Sequence, residues 1–295
     1  MKSKQVLLIA AGGTGGHMFP AEALAWEFYK LGWLIVLITD ERGVRFSNKF
    51  PPNIIKFVQE SSSLGFRNPF RFSKAILLIF ISIFQTLRVF IKLKPNVVIG
   101  FGGYPSFPAI LTAKLLNVKS VVHEQNAVLG RVNKLFSKSV KMVACSFWPT
   151  KAPQGAKICF TGNPIRNGVL EKGHRPFDLP LTGQLNLVVI GGSQGASIFS
   201  RVVPEAVAIL PAKLRSRLII VQQARLEDCK KLEEIYKKIG VKATVKDFFQ
   251  NIERIFSCAH LVIARAGAST ISEVLFFGKP LLLIPIPFSV RDHQK

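Results

Sequence analysis

Glycine-bearing loops carry the side chains of this chain best suited to chemistry. In residues 10–25, AAGGTGGHMFPAEALA, Gly13, Thr14, Gly15 and Gly16 line a loop from which Thr14 and His17 project just before a helix. Imidazole titrates near neutrality, so His17 could act as a general base; equally, it could only hydrogen-bond nearby backbone or cap the helix. Residues 191–196, GGSQGA, offer backbone N–H groups and the Ser193 hydroxyl ahead of another helix, which suits a phosphate. A tight turn that needs glycine for backbone reasons alone explains the same letters. In RAGASTISE, residues 265–273, Thr270 and Glu273 stand at capping-box spacing. Glu273 either closes a helix N-terminus or accepts ribose hydroxyls while residues 268–270 present N–H groups to a diphosphate.

The first loop departs from the dinucleotide fingerprint G-x-G-x-x-G, because the third glycine position falls on Met18. Asp40, after the second strand, could still serve a ribose, so a nicotinamide-dependent oxidoreductase remains an alternative. The Walker pattern fails, since no Lys-Ser/Thr follows the glycines. Cys145, Cys159, Cys229 and Cys258 show no metal-ligand spacing and read as buried free thiols in a reducing compartment.

The elements that must position these loops read as an α/β chain. QVLLIAAGGTGGH, PNVVIGFGGYPS, LNLVVIGGSQGA and HLVIARAGAST are apolar runs that end in glycine or small polar residues, the rhythm of parallel strands covered on both faces. Pro20 to Leu31 reads as a helix ended by Gly32, with LIVLIT as the next strand. Periodicity lapses over residues 164–184 and restarts with LNLVVIGG, which predicts two domains, 1–163 and 164–295. The last residues, SVRDHQK, stop where another helix is expected, so the second domain reads as incomplete.

The net charge is +23, with 21 Lys+Arg against 6 Asp+Glu in residues 1–163 and 19 against 11 in residues 164–295. Such an excess favours an anionic partner: nucleic acid, an acidic membrane face or a phosphorylated substrate. No nucleic-acid module with interleaved aromatics accompanies it. The N-terminus fits a first strand better than a signal peptide, which makes the chain cytosolic. Residues 70–95, FRFSKAILLIFISIFQTLRVFIKLKP, are strongly apolar with a basic rim. Gln85, Thr86 and Arg88 interrupt the run short of the ~20 residues of a span, so a core helix or a helix lying at a membrane surface fits better.

Taken together, GGTGGH, GFGGYPSFP, HEQN, GNPIR, GGSQGA, ARAGASTISE and DHQ, in this order from about Gln5 to the last residue, resemble the MurG family of peptidoglycan glycosyltransferases (family 28). The resemblance implies a GT-B architecture, two Rossmann-like domains with parallel sheets facing each other across a cleft. It implies inverting transfer of N-acetylglucosamine from UDP-GlcNAc to the muramoyl 4-hydroxyl of an undecaprenyl-diphosphate-linked acceptor, with no cofactor and no obligatory catalytic metal. The implied donor site comprises Thr14, Gly15 and Gly16 near the sugar and diphosphate, Asn126 at the sugar, and Arg166 and Phe249 near the uracil. Ser193 would lie by a phosphate, Ala268, Ser269 and Thr270 at the diphosphate, Glu273 on the ribose and Gln294 on the sugar, with Ile271 and Ser272 also within the UDP-GlcNAc site. Tyr104, His123 and Glu124 would line the acceptor side, with His17 or Glu124 as the catalytic base. The implied partners are UDP-GlcNAc, the lipid-linked acceptor, an anionic membrane surface on the cytoplasmic side, where the enzyme would be peripheral, and cell-wall synthesis proteins; no nucleic acid is implied. Another GT-B lipid glycosyltransferase, such as a diacylglycerol glycosyltransferase, would share the donor loops.

Overall fold

All five side chains of β1 (Val6–Ala10) are buried, as a strand covered on both faces requires. In the computed structural model, which describes residues 4–60, 69–173, 177–192 and 196–286, this strand opens the first of two compact units, Met1–Arg166 and Asn167–Lys295. The division lies three residues beyond the expected boundary after Asn163.

After β1 the first unit runs through α1 (Gly15–Lys30), β2 (Leu34–Asp40), α2 (Glu41–Val44), β3 (Ile55–Gln59), α3 (Pro69–Leu93) and β4 (Val97–Gly100). It continues with α4 (Ser106–Leu115), β5 (Lys119–Glu124), α5 (Arg131–Phe136), β6 (Met142–Cys145) and β7 (Ile158–Phe160). The strands pair in parallel in the order β3-β2-β1-β4-β5-β6-β7. Leu8, Val98 and Val122 bury one face with Val89 and Phe90 of α3, Ile110 of α4 and Phe136 of α5. Leu7, Ile9 and Ile35 bury the other with Met18, Ala21 and Ala25 of α1. Each such fully buried aliphatic stabilises the unit by about 1.5–3 kcal/mol.

The second unit holds α6 (Asn167–Lys172), β8 (Leu185–Ile190), α7 (Ser197–Ala208), α8 (Ala212–Arg215), β9 (Leu218–Gln223) and α9 (Leu226–Lys238). Then come β10 (Lys242–Lys246), α10 (Ile252–Ser257), β11 (Leu261–Ala264), α11 (Ala268–Phe276) and β12 (Leu281–Leu283). Its sheet is also parallel, in the order β10-β9-β8-β11-β12.

In each sheet the winding direction reverses once, between β1 and β4 and between β8 and β11. Open α/β sheets bind ligands outside the strand ends at such a reversal, where loops diverge to opposite faces and leave a crevice. The chain places residues 11–14 and 101–105 at the first reversal, and 191–192 and 265–267 at the second.

Three expectations are corrected. Helix α1 begins at Gly15 rather than Pro20, so His17 stands in its first turn instead of on the loop. Pro20 removes the N–H that would bond the Gly16 carbonyl, and Gly16 is exposed, where water can take that acceptor. The end matches: Gly32, at φ 81°, accepts the left-handed turn after Leu31. Of the four thiols only Cys145 is buried, because Cys159 and Cys258 lie at an edge strand and a helix end and are exposed.

The third correction concerns α3. Its segment Ala75–Leu93 is long and apolar enough to cross a membrane by length and composition, despite the polar residues that interrupt it. The helix nevertheless has two faces. Ser82, Thr86, Val89 and Phe90 are buried in the first unit, where Gln59 Nε2 donates to the Ser82 carbonyl at 3.1 Å and to Thr86 Oγ1 at 2.9 Å. Leu77, Phe80, Phe84 and Ile91 are exposed.

The second unit contains one buried polar pair with little redundancy. Tyr236 is fully buried, which pushes its phenol above the usual range, and it donates to Gln222 Oε1 at 2.5 Å. Gln222 Nε2 is buried without a partner among the described residues. Tyr236→Phe leaves the whole amide unbonded and is expected to destabilise this unit by about 1–3 kcal/mol. Urea denaturation of both proteins measures it; equal midpoints would mean that the pair contributes nothing net.

Candidate active site

The loop after β1 is shaped by one carboxylate. Asp40, at the end of β2, is fully buried, and its Oδ1 accepts the Gly13 N–H at 2.8 Å and the Gly43 N–H at 2.9 Å. Its Oδ2 takes the Arg42 guanidinium at 3.1 Å. These bonds occupy both oxygens, so Asp40 builds the loop and does not serve a ribose. A Cβ on Gly12 would stand 2.8 Å from Asp40 Oδ1 and from Pro105, closer than atoms can approach. The loop after β4 closes on the same point. Gly103, at φ 78°, would place a Cβ 2.8 Å from the Gly12 carbonyl oxygen. Only glycine meets both the backbone angle and the contact.

That carbonyl also holds His17, whose Nδ1 lies 2.8 Å from Gly12 O. A carbonyl only accepts, so Nδ1 carries the ring proton and Nε2 keeps its lone pair. The Nε2 edge faces Gly102, where a Cβ would come within 3.1 Å of it. Thr14 is the N-cap residue of α1, yet its side chain makes no capping bond. Gly15 is buried beneath the Phe19 ring, while Gly16 is exposed.

The acceptor-side candidates behave differently. Glu124 is 2% exposed; its Oε1 accepts from Asn126 N and Nδ2 at 3.1 and 3.2 Å, and its Oε2 from Gly130 N and Asn133 Nδ2 at 2.8 and 2.9 Å. A carboxylate that receives four donors fixes the 126–130 turn and has no lone pair left for a substrate proton, which argues against Glu124 as the base. His123 is also committed. Gln125 Nε2 donates to its Nδ1 at 3.0 Å, so its Nε2 carries the proton and faces the Gly162 carbonyl at 3.3 Å. The ring packs against Phe101, with centroids 5.2 Å apart, and the residue is 4% exposed. Tyr104 is half-buried, with its hydroxyl 3.4 Å from Ser82 Oγ of α3. Asn126 is half-buried beside the turn that Glu124 holds.

In the second unit, α11 begins at Ala268 with Gly267 as N-cap. Thr270 is therefore the third helical residue and Glu273 the sixth, which rules out the capping box. Glu273 is buried. Ser269 Oγ is buried without a hydrogen-bond partner among the described residues. Ser272 Oγ donates back to the Ala268 carbonyl at 3.0 Å, so this hydroxyl is spent within the helix. Ile271 and Thr270 are half-buried, as is Phe249 on the loop after β10. Arg166 packs within the first unit, its guanidinium 4.1 Å from the centroid of Phe19 on α1. Ser193 and Gln294 lie outside the described residues. The sequence reading missed Arg265, whose Nη1 donates to the carbonyls of Ile284 at 3.1 Å and Pro285 at 2.8 Å and so ties the β11 loop to the end of β12.

Residues 7–145 match the glycosyltransferase family 28 N-terminal domain, and residues 186–295 match the C-terminal domain of the same family. The chain belongs to glycosyltransferase family 28. Among its relatives is the UDP-N-acetylglucosamine–N-acetylmuramyl-(pentapeptide) pyrophosphoryl-undecaprenol N-acetylglucosamine transferase of Chelativorans sp. (strain BNC1), 46% identical over 99% of this chain and 78% of the relative. The Rhizobium meliloti (strain 1021) protein of the same name is 43% identical, with the same coverage. The crystal structure of Acinetobacter baumannii MurG superimposes with a TM-score of 0.75 at 28% identity, over 99% of this chain and 81% of that one. The family-28 chain is thus a glycosyltransferase of GT-B type, and the oxidoreductase alternative falls with the ribose role of Asp40.

The commitment of His123 to the family-28 fold has a measurable consequence. Burial lowers its pKa from the ordinary 6.5 to about 4, against a smaller raising effect of the Gly162 carbonyl. Above pH 6.5 neither the folded nor the unfolded chain protonates this ring. Between 6.5 and 4 only the unfolded chain takes the proton, so stability falls as pH falls. The loss is complete below 4, at about 3 kcal/mol. Urea midpoints across this window should fall more steeply for the wild type than for His123→Gln; parallel curves would show that the ring is not held neutral.

Proposed function

We propose that this chain transfers N-acetylglucosamine from UDP-GlcNAc to the muramoyl 4-hydroxyl of an undecaprenyl-diphosphate-linked acceptor, with inversion and without a covalent intermediate. The observation that carries the reading is the His17 ring, whose Nδ1 is spent on Gly12 O so that Nε2 is an acceptor at the first switch point. In the reaction the acceptor hydroxyl gives its proton to His17 Nε2 as its oxygen bonds the anomeric carbon. The bond from that carbon to UDP breaks, and its electron pair leaves with the diphosphate. The negative charge developing there is met by the first-turn N–H groups of α11 and by the Ser269 and Thr270 hydroxyls. Glu273 accepts ribose hydroxyls, and Thr14, Gly16 and Asn126 contact the sugar. This reading assigns the leaving group to the second unit and the attacking hydroxyl to the first.

The test is transfer of labelled GlcNAc to a synthetic muramoyl acceptor, with UDP release followed in parallel. His17→Ala is expected to lower kcat by about 100-fold or more while UDP-GlcNAc binding stays within about twofold, because the base acts only in the transition state. A kcat near that of the wild type would remove His17 from this role.

The acceptor reading also gives α3 a purpose. Leu77, Phe80, Phe84 and Ile91 form an outward apolar stripe, with the Arg88 guanidinium 4.3 Å from the Phe84 ring centroid. An amphipathic face of this kind, on a half-chain with a large basic excess, suits peripheral attachment to the anionic cytoplasmic face of a membrane. Replacing both Phe80 and Phe84 with Ser should release the folded protein from anionic liposomes; unchanged sedimentation with liposomes would defeat this part of the reading.

A further inference from the structure

Gly12 and Gly13 share one peptide group. Its N–H end, on Gly13, donates to Asp40 Oδ1 at 2.8 Å, and its C=O end, on Gly12, accepts from His17 Nδ1 at 2.8 Å. The atoms therefore form a continuous chain from the Asp40 carboxylate through the Gly12–Gly13 amide to the His17 imidazole. A carboxylate hydrogen-bonded to an amide N–H polarises the amide and makes its oxygen a stronger acceptor, since linked hydrogen bonds reinforce one another in a low-dielectric setting. The fully buried Asp40 is in such a setting.

We infer that Asp40 is a positioning residue for the transfer reaction: its charge, relayed through the Gly12–Gly13 peptide, holds His17 in the Nδ1–H tautomer with Nε2 unprotonated. The inference rests on the base role proposed for His17. The arrangement resembles in logic the carboxylate that orients a catalytic histidine directly, with one peptide inserted between the two. Several features keep the relay in place. Gly12 and Gly103 lack the Cβ atoms that would push the peptide aside, and Gly13 holds a φ of 85° that glycine accepts without strain. The Gly43 N–H holds the same Oδ1 from α2, while Arg42, 59% exposed, draws part of the charge to Oδ2.

Asp40→Asn tests the charge while leaving a carbonyl oxygen to accept from Gly13. Ring-15N NMR of the folded protein reports which imidazole nitrogen carries the proton, whether or not the protein is active. The wild type should show His17 as the Nδ1–H tautomer, and the variant a mixture of the two. In the transfer assay, kcat should fall by about tenfold or more with KM for UDP-GlcNAc little changed, as when an orienting partner of an active group is lost. An unchanged single tautomer in the variant overturns the inference, whatever the rate does. A mixed tautomer with an undiminished rate upholds the relay and removes His17 as the base, so the two readings fail separately. If Asp40→Asn does not fold, Arg42→Met carries the test at an exposed position. Freed of its competing cation, the carboxylate should move the His17 Nδ1–H proton signal downfield, and a stationary signal overturns the inference.

Discussion

The contact on which the first unit depends is the close approach of the loops after β1 and β4 at the Gly12 carbonyl. Two strand ends of a parallel sheet meet there with no side chain between them, because Gly12, Gly102 and Gly103 have none to offer. The space a Cβ would take is filled by Asp40 Oδ1 and Pro105 on one side and by backbone on the other. One carbonyl thus receives the Thr14 N–H at 3.2 Å and the His17 ring at 2.8 Å. Packing and chemistry share a single atom, so the loop cannot shift without turning the imidazole. Rigid placement of this sort is what the base role proposed for His17 requires, since small misplacements are costly in rate.

The two histidines of the first unit show how one residue type is given opposite work by its hydrogen bonds. His123 accepts an amide N–H at Nδ1 and donates from Nε2 to the Gly162 carbonyl; both nitrogens are consumed inside the fold. His17 donates from Nδ1, and its Nε2, beside Gly102, has no hydrogen bond among the described residues. Glu124 belongs with His123, its four donors holding a turn. The residues nearest in type to a catalytic acid–base pair, His123 and Glu124, are adjacent in sequence and buried together, while the uncommitted nitrogen belongs to His17 in the first turn of α1.

Much of the fold was legible because parallel strands buried on both faces write themselves as continuous apolar runs, and the restart at LNLVVIGG marked the second sheet. The start of α1 was not. Gly15 and Gly16 are poor helix formers and Pro20 suggests a first turn, yet the helix begins at Gly15 because Met18 and Ala21 pack into the core. Of the site, the glycine loops could be read, but the distinction between free and committed polar groups could not. Nothing in HEQN says that Glu124 receives donors from residues two, six and nine positions away. Nor does the isolated Asp40 announce a bond to Gly13, 27 residues earlier. Such bonds are made by topology, which brings β1 beside β2.

Helix α3 follows the same logic at the periphery. Left to composition it could span a bilayer, be a core helix or lie flat, because composition counts residues without their directions. Ser82 and Thr86, one turn apart, are buried, and Gln59 of β3 clamps both. Turning that pair outward would break the two hydrogen bonds from Gln59, at about 1–3 kcal/mol for each buried partner left unsatisfied. The polar seam therefore fixes the rotation of the helix, and the rotation decides that Phe80 and Phe84 face outward. Large apolar side chains grouped on a surface are the face that the proposed peripheral attachment would use. The inner seam also meets the Tyr104 hydroxyl through Ser82, so the element that carries the apolar stripe is the one packed against the loop that closes over Gly12.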